Sequence, residues 1–133
     1  MGKSLIQTAN PSSQAVAVNN IVSLGSVQRR YGCNLRLSGN AIEMGGEGYF
    51  AVDVTATLAP TAIGSATIAL YVDGTPVPGA TATGSIAAIG DSITLPIATT
   101  LRRSCCEDVN NVTVVLTAGA SNVNNINVRI EKL

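Results

Sequence analysis

The segment GYFAVDVTATLA at residues 48–59 decides the fold, because apolar and polar side chains alternate along its length. A β-strand directs successive side chains to opposite faces of a sheet. One face therefore carries Phe50, Val52, Val54, Ala56 and Leu58. Pro60 follows and favours an end to the strand. An amphipathic helix would need apolar residues three and four positions apart, and this segment lacks that pattern.

The same period of two recurs on both sides of this strand. Residues 66–73 alternate in the same way and end at Asp73-Gly74, a pair typical of a tight turn. Pro76 and Pro78 favour a sheet edge for the strand predicted at residues 77–89. Further alternating segments lie at residues 13–24, 34–44, 92–101, 112–118 and 125–133. About eight to ten such strands, without a helical segment or an internal repeat, predict an all-β, two-sheet jelly-roll sandwich.

The composition is poor in charge. The 133 residues include eight basic and eight acidic side chains, so charged residues make up only 12%, about half the usual share of roughly 25%. A surface this neutral indicates that partner copies cover part of it. Zero net charge argues against a nucleic-acid or membrane-surface partner.

The length predicts one domain, with an N-terminal arm at residues 1–13 and the jelly roll at residues 14–133.

Catalysis is not expected. The chain has no His, the commonest general base and metal ligand, and a Cys nucleophile would lack its usual partner. Glu43 and Glu47 flank a Gly-Gly turn, where solvated charge is normal, and Asp73 belongs to a tight turn. We therefore predict no enzyme activity, no catalytic residues, no cofactor and no metal site. One alternative stays open, a calcium loop formed by Glu107, Asp108, Asn110 and Asn111.

The second faces of two predicted strands are unusually neutral. A half-exposed strand normally turns polar and often charged residues to solvent. Here these residues are small, neutral or aromatic, and a subunit contact can bury such a face without burying an unpaired charge. The candidate oligomer interface consists of Tyr49, Ala51, Thr55, Thr57, Thr67, Ala69 and Tyr71. The alternative is an ordinary Thr-rich solvent face, since Thr has good strand propensity.

Two Arg pairs supply four of the eight positive charges. Arg29-Arg30 begins the segment RRYGC and Arg102-Arg103 begins RRSCC, so the two similar segments are expected to lie side by side at one end of the fold. These four residues form a candidate basic patch for an acidic capsid surface, an anionic glycan or acidic residues of a neighbouring subunit. Subunit salt bridges or solvated loops are the alternatives.

The same juxtaposition makes Cys33, Cys105 and Cys106 a candidate thiol cluster. A bond from Cys33 to either partner is one interpretation, and free buried thiols are the other. Three Cys do not form a disulfide framework, and a structural zinc site would need a fourth ligand.

The N-terminus has no apolar run of the kind a secretory signal needs, and no apolar stretch is long enough to span a membrane. We therefore expect the protein to be made and left in the cytoplasm.

Three segments resemble the C1q- and tumour-necrosis-factor-like jelly rolls. GYFAVDV at residues 48–54 resembles their Gly-Tyr-aromatic strand. LYVDGTPVPGA at residues 70–80 is similar to a hairpin of bacterial and phage versions, in which Asn/Asp-Gly precedes a Val-x-Gly stretch. NVRIEKL at residues 127–133 resembles the way these short chains end. The resemblance extends over residues 14–133.

This resemblance implies a jelly roll of about ten strands that assembles as a tight homotrimer. Small stand-alone members are similar to virion proteins encoded by phages and prophages of Firmicutes, such as head decorations, head fibres and fibre tips. It thus implies capsid or fibre proteins as partners and a virion location after synthesis in the bacterial cytoplasm. A carbohydrate- or host-surface-binding adhesin is the first alternative. A spore-surface C1q-like protein is the second, although the collagen-like stalk of that class is absent from this sequence.

Overall fold

The protein is described by a computed structural model that covers residues 3–103 and 109–133. Regular structure in these residues is entirely β, because the alternating segments have no helical period. Twelve strands are present in the described residues: β1 (Leu5–Asn10), β2 (Gln14–Val16), β3 (Asn20–Ile21), β4 (Ser26–Tyr31), β5 (Leu35–Ser38), β6 (Ala41–Met44), β7 (Gly48–Pro60), β8 (Gly64–Val72), β9 (Thr75–Ile86), β10 (Ile93–Arg103), β11 (Asn110–Ala118) and β12 (Ser121–Lys132).

The strands form two antiparallel sheets packed face to face. Sheet A has the order β10-β7-β12-β1-β4, with the short β2 beside β12. Sheet B has the order β5-β6-β11-β8-β9, with β3 beside β11. The chain crosses between sheets after β2, β3, β4, β6, β7, β9, β10 and β11, so neighbours in a sheet are mostly distant in sequence. This topology confirms the predicted all-β, two-sheet jelly-roll sandwich.

The core lies between the two sheets and follows the predicted alternation. Phe50, Val52, Val54 and Leu58 of β7 are each at most 1% exposed. Ile68 and the other inward residues of β8, β11 and β12 pack in the same cluster. Fully burying one such side chain contributes about 1.5–3 kcal/mol. The inward face of residues 48–59 is therefore confirmed, and the sandwich is built around β7.

The sandwich begins earlier in the sequence than expected. Leu5–Asn10, which falls within the predicted N-terminal arm, forms β1 between β12 and β4. Only Ile6 of its inward residues is a large apolar side chain, while Ser4 and Thr8 are buried polar residues on the same face. The segment is held mainly by backbone pairing on both of its sides, and its hydrophobic pattern is too weak to predict the strand.

The strands run between two ends of the molecule. One end, which we call the charged end, carries loops 32–34 and 45–47 and the Asp73-Gly74 turn. The opposite end, which we call the charge-poor end, carries the loops at residues 11–13, 17–19, 61–63, 87–92 and 119–120. Pro76 and Pro78 lie on β9, the edge strand of sheet B, as predicted.

Gly119, between β11 and β12, is required by its backbone. Its φ is +73°, and an added Cβ would lie 2.3 Å from the carbonyl oxygen of Ser65. We expect Gly119→Ala to lower the free energy of unfolding by about 2–4 kcal/mol, because left-handed strain adds to a backbone clash. Urea denaturation measures the loss. Gly74→Ala is the control, since Gly74 has φ +81° but open space around it. Equal losses in the two variants would contradict the steric argument.

Candidate interaction surface

The outer face of sheet A is broad and built from small neutral side chains. Its longest strands are β7, β12 and β10, and each turns alternate residues away from the core. Paired positions across β10, β7 and β12 align the outward residues in rows. Among these outward residues are Thr94, Pro96, Ala98 and Thr100 of β10, Ala51, Thr55 and Thr57 of β7, and Asn125 and Asn127 of β12.

The charges on this face compensate one another. The Asp53 carboxylate accepts a hydrogen bond from the Arg129 Nη2 at 2.5 Å, and Arg129 Nη1 lies 3.9 Å from Glu131. The hydrogen bond to Asp53 raises the pKa of the Arg129 guanidinium above its ordinary value. Arg29 of β4 lies in the same row, because Gln7 pairs with both Arg129 and Arg29. These two acidic and two basic groups sum to zero, and Arg102 at the end of the edge strand β10 adds one positive charge to the face. A contact that leaves Arg102 in solvent would therefore bury no net charge.

The seven predicted interface residues lie on two different surfaces. Tyr49, Ala51, Thr55 and Thr57 belong to β7 and face outward from sheet A. Thr67, Ala69 and Tyr71 belong to β8 and face outward from sheet B, on the opposite side of the sandwich. The chain crosses between the sheets at residues 61–63. The two sets therefore point outward as predicted but form no single contiguous surface.

The outer face of sheet B has less surface available to a partner. Ala69 and Val115 alternate with core residues, so they face outward, yet they are only 5% and 8% exposed. The short strand β3 lies alongside, with Ile21 paired to Val115. Thr67 and Thr83 join their hydroxyls across β8 and β9 at 2.9 Å. The chain itself therefore covers part of this face, whereas the outer face of sheet A is open.

The two Arg pairs lie at opposite edges of sheet A. Arg29-Arg30 is on β4 and Arg102-Arg103 ends β10, with β7, β12 and β1 between them. Neighbouring strands are about 4.8 Å apart, so the pairs are separated by about 19 Å. Both pairs lie in the half of the sandwich nearer the charged end, but they do not lie side by side. The repeated Arg-Arg motif therefore does not mark two adjacent strands.

Successive residues of each pair face opposite sides of sheet A, so Arg29 and Arg102 point outward. Arg30, although exposed, and the buried Arg103 bond to other parts of the chain. Arg30 donates from Nε to the Leu35 carbonyl at 2.6 Å. Arg103 is only 2% exposed. Its Nε donates to the Asn110 side-chain oxygen at 2.7 Å, and its Nη1 donates to the Gly46 carbonyl. The candidate basic patch is thus reduced to two outward guanidiniums at separate edges.

Arg102 is the outward member of its pair. Its guanidinium carbon lies 5.9 Å from the ring centroid of Tyr49, a cation–π distance. Beside it, at the charged end, a cavity of about 310 Å³ opens between the β8–β9 hairpin and β10. Its walls are mostly apolar, formed by Met44, Val72, Pro76, Val77, Pro78 and Leu101. An exposed aromatic ring, a guanidinium and an apolar cleft thus meet at one place.

Asp73 joins the β8–β9 turn to β11. Its carboxylate accepts from the Asn110 side-chain nitrogen at 2.6 Å and from the Asn111 backbone nitrogen at 2.8 Å. The hydrogen bond from the Asn111 backbone is the main reason that the pKa of Asp73 is lowered. Through Asn110 this turn also connects to Arg103. The sequence placed Asp73 in a turn, but it did not reveal this network.

The lowered pKa of Asp73 predicts acid sensitivity. A carboxyl group whose folded pKa is depressed stabilises the fold above its unfolded pKa, and that stability is lost as pH falls through the folded pKa. We therefore expect wild-type stability in urea to fall more between pH 5 and about pH 2 than that of Asp73→Asn. Asp91→Asn, in an exposed loop of the charge-poor end, is the control and should follow the wild type. Identical pH profiles for wild type and Asp73→Asn would contradict the expectation.

The remaining candidate groups are only partly within the described residues. Cys33 is exposed in the loop between β4 and β5, while Cys105 and Cys106 lie outside the described residues, so the thiol cluster remains a prediction. Glu107 and Asp108 of the open calcium alternative also lie outside them, and the Asn110 oxygen already accepts from Arg103. Within residues 3–103 and 109–133, no three His, Cys, Asp or Glu side chains are grouped closely enough for a metal ion.

Comparisons by sequence find nothing: no protein family model and no curated protein matches the chain. Comparison of the fold finds solved structures that are similar to this chain. Murine APRIL aligns with a TM-score of 0.77 at 10% identity, covering 99% of this chain and 100% of that one. The globular domain of zebrafish Complement 1qA aligns at 0.73 and 11% identity, covering 97% and 95%. The chain has a C1q/TNF-like jelly-roll fold.

The same C1q/TNF-like jelly roll is similar to PRD1 vertex protein P5, with a TM-score of 0.66 and 16% identity. That alignment covers 98% of this chain and 73% of the vertex protein. Identities this low establish the fold and nothing about partners. In the part of the jelly roll that the structure describes, no helix is long and apolar enough to cross a membrane.

Proposed function

We propose that this protein is a non-enzymatic structural protein that assembles as a homotrimer through the outer face of sheet A. The observation that carries the proposal is that face itself, which is five strands wide, rich in Ala and Thr, and charge-compensated except for Arg102 at the end of its edge strand. A closed symmetric assembly that leaves Arg102 in solvent buries such a face without a net charge. The resemblance to the C1q/TNF-like jelly rolls independently implies a three-fold assembly.

The ion pair between Asp53 and Arg129 is compatible with burial at this contact. The Asp53–Arg129 pair is about half exposed, with side-chain accessibilities of 47% and 46%. Such a pair contributes little to the stability of the chain alone. Buried at a subunit contact, it remains compensated, because both partners belong to one chain and each copy brings its own pair. We therefore place the Asp53–Arg129 row at the centre of the contact.

We further propose that the trimer is a component of a virion, as a head decoration, head fibre or fibre tip, with a capsid or fibre protein as its partner. The likeness to PRD1 vertex protein P5 over nearly the whole chain supports this role. The low charge content also supports it, since a protein held in a repetitive assembly exposes less surface.

Light scattering after size-exclusion chromatography tests the trimer. We expect a particle of three times the 13.5 kDa chain mass. A stable monomer at micromolar concentration would contradict the assembly. The virion role has its own test in the neighbouring genes: capsid and portal genes beside this one are the expected finding. A neighbourhood of sporulation genes would instead favour the spore-surface alternative.

Binding of a host-surface glycan is a second candidate function, favoured by one observation. Tyr49 is 54% exposed and has the Arg102 guanidinium over its ring, and Arg102 also lines the apolar cavity. Aromatic rings that pack on sugars and guanidiniums that bind carboxylates are the usual elements of anionic-glycan sites. We expect an array of anionic glycans to retain the wild type and to lose Arg102→Ser. An array that retains neither, or both equally, contradicts a site here.

A further inference from the structure

Charge is distributed very unevenly along the strand direction. Asp53 is the sixth of thirteen residues of β7, and the row that joins it to Arg129 and Arg29 is the charged row furthest from the charged end. Within residues 3–103 and 109–133, the other charged side chains lie between this row and the charged end, with the exception of Asp91. The half of the sandwich that leads to the charge-poor end is therefore almost without charge.

Large apolar side chains stand exposed on the tips of this charge-poor end. Ile89 is 71% exposed, Ile63 is 63% exposed and Val18 is 42% exposed. Ala17, Ala62 and further exposed alanines of the same loops surround them. Scattered exposed apolar residues are normal, but a cluster without charge between its members marks a contact surface. The end has the apolar, charge-depleted composition of an interface core.

The loops that carry these tips are held in place. Thr61 donates from its backbone nitrogen to the Ala120 carbonyl at 3.0 Å and from its hydroxyl to the same oxygen at 3.1 Å. In the loop of Ile89, the Asp91 nitrogen donates to the Ala88 carbonyl at 3.2 Å. The loops of Ile63 and Ile89 are adjacent, because β7 pairs with β10 and β8 pairs with β9. These hydrogen bonds tie the loop of Ile63 to Ala120 and close a turn in the loop of Ile89, which lowers the cost of ordering the two loops on binding.

We propose that the charge-poor end is a self-association surface, on which the same end of a second copy docks about a two-fold axis. An isologous contact sets residue i of one copy against residue j of the other, and j against i, so its charge balance depends on the charges within the patch. The described residues of the charge-poor end contribute only Asp91, so this contact buries almost no charge and opposes at most one pair of carboxylates.

Other occupants fit the surface less well. An anionic lipid surface or an acidic protein would need Lys or Arg, and the described residues of this end have none. A basic partner would find a single carboxylate, Asp91. The outer face of sheet A runs along the side of the sandwich, so the two contacts use different surfaces. The end-to-end contact therefore does not rest on the proposed trimer.

Sedimentation equilibrium from about 1 to 200 µM tests the proposal. We expect the wild-type mass to double with concentration, from three chains to six, or from one to two if the trimer is wrong. Ile63→Asp combined with Ile89→Asp should weaken this doubling by at least about 100-fold, because carboxylates would be buried opposite each other. Val109→Asp is the matched control, since Val109 is 50% exposed near the charged end; it should double like the wild type.

Two results would overturn the proposal. One is a wild-type mass that stays constant over the whole range, and the other is doubling that the double variant leaves unchanged. Circular dichroism checks that the double variant is folded. We expect it to fold, because both substitutions lie in exposed loops. Flotation with neutral phosphatidylcholine vesicles gives a third outcome. Vesicle binding that is lost in the double variant, without mass doubling in the wild type, would assign this end to lipid and reject self-association.

Discussion

Replacing Arg103 with Ala is expected to lower the free energy of unfolding by about 2–4 kcal/mol. The buried guanidinium joins the end of β10 to the β6–β7 loop through Gly46 and to β11 through Asn110. Removing it leaves buried acceptors without a donor and a cavity at the charged end. It also weakens the support of Asp73, whose partner Asn110 is held by the same side chain. Urea denaturation at neutral pH measures the loss.

The adjacent residue provides a matched control. Arg102→Ala removes the same chemical group from a solvent-exposed position, where only the stacking on Tyr49 is lost. We expect that change to cost less than about 1 kcal/mol. Arg103→Lys should recover part of the loss, because an ammonium retains the charge but not the planar fork. Equal effects at positions 102 and 103 would mean that Arg103 is not the structural member of the pair.

The second large effect is expected on assembly. Thr55→Arg places a cation in the middle of the outer face of sheet A, beside Asn127 and Pro96. A three-fold contact would bury three such charges, and we expect the trimer to weaken by at least about 1,000-fold, leaving folded monomers. Light scattering at micromolar concentration measures the mass, and circular dichroism confirms the fold.

Thr81→Arg is the control for that experiment. Thr81 is an exposed outward residue of β9, paired with Ala69 on the opposite face of the sandwich. The substitution has the same chemistry and a similar strand environment, so the trimer should persist. If Thr55→Arg remains a trimer, the outer face of sheet A is not the contact. Dissociation of the Thr81→Arg variant alone would place the contact on sheet B.

The strands with a buried apolar face could be read from the sequence, and those without one could not. Residues 48–59 alternate strictly, and β7 follows that pattern residue by residue. In contrast, each residue of Ser26–Tyr31 is exposed, so β4 offers no alternation to detect. β1 has a polar inward residue at Thr8 and follows the buried Ser4, so its position in sheet A depends on backbone pairing. An alternating hydrophobic pattern predicts a strand with a buried apolar face, and neither β1 nor β4 has such a face.

The sequence predicted which residues of each strand face outward, but not which strands lie in the same sheet. Alternation correctly turned Thr55 and Thr67 outward, but sheet membership depends on pairings between distant residues, which separate the two. The structural role of Arg103 did have a signal. Position 103 continues the inward series of Leu95, Ile97 and Leu101, where a charged residue needs buried partners. Those partners, Asn110 and Gly46, lie on other strands and loops, which the sequence does not join.

The place of β12 in sheet A has a consequence for folding kinetics. β12 follows the other strands in sequence, yet it lies between β7 and β1, with Leu5 paired to Glu131. During synthesis, β1, β4, β7 and β10 emerge without the strand that joins β1 to β7. Closing so long a loop is slow, and unpaired edges persist until it closes. The sandwich should therefore fold as a late, all-or-none event, and truncation within β12 should leave an aggregation-prone chain and not a smaller sandwich.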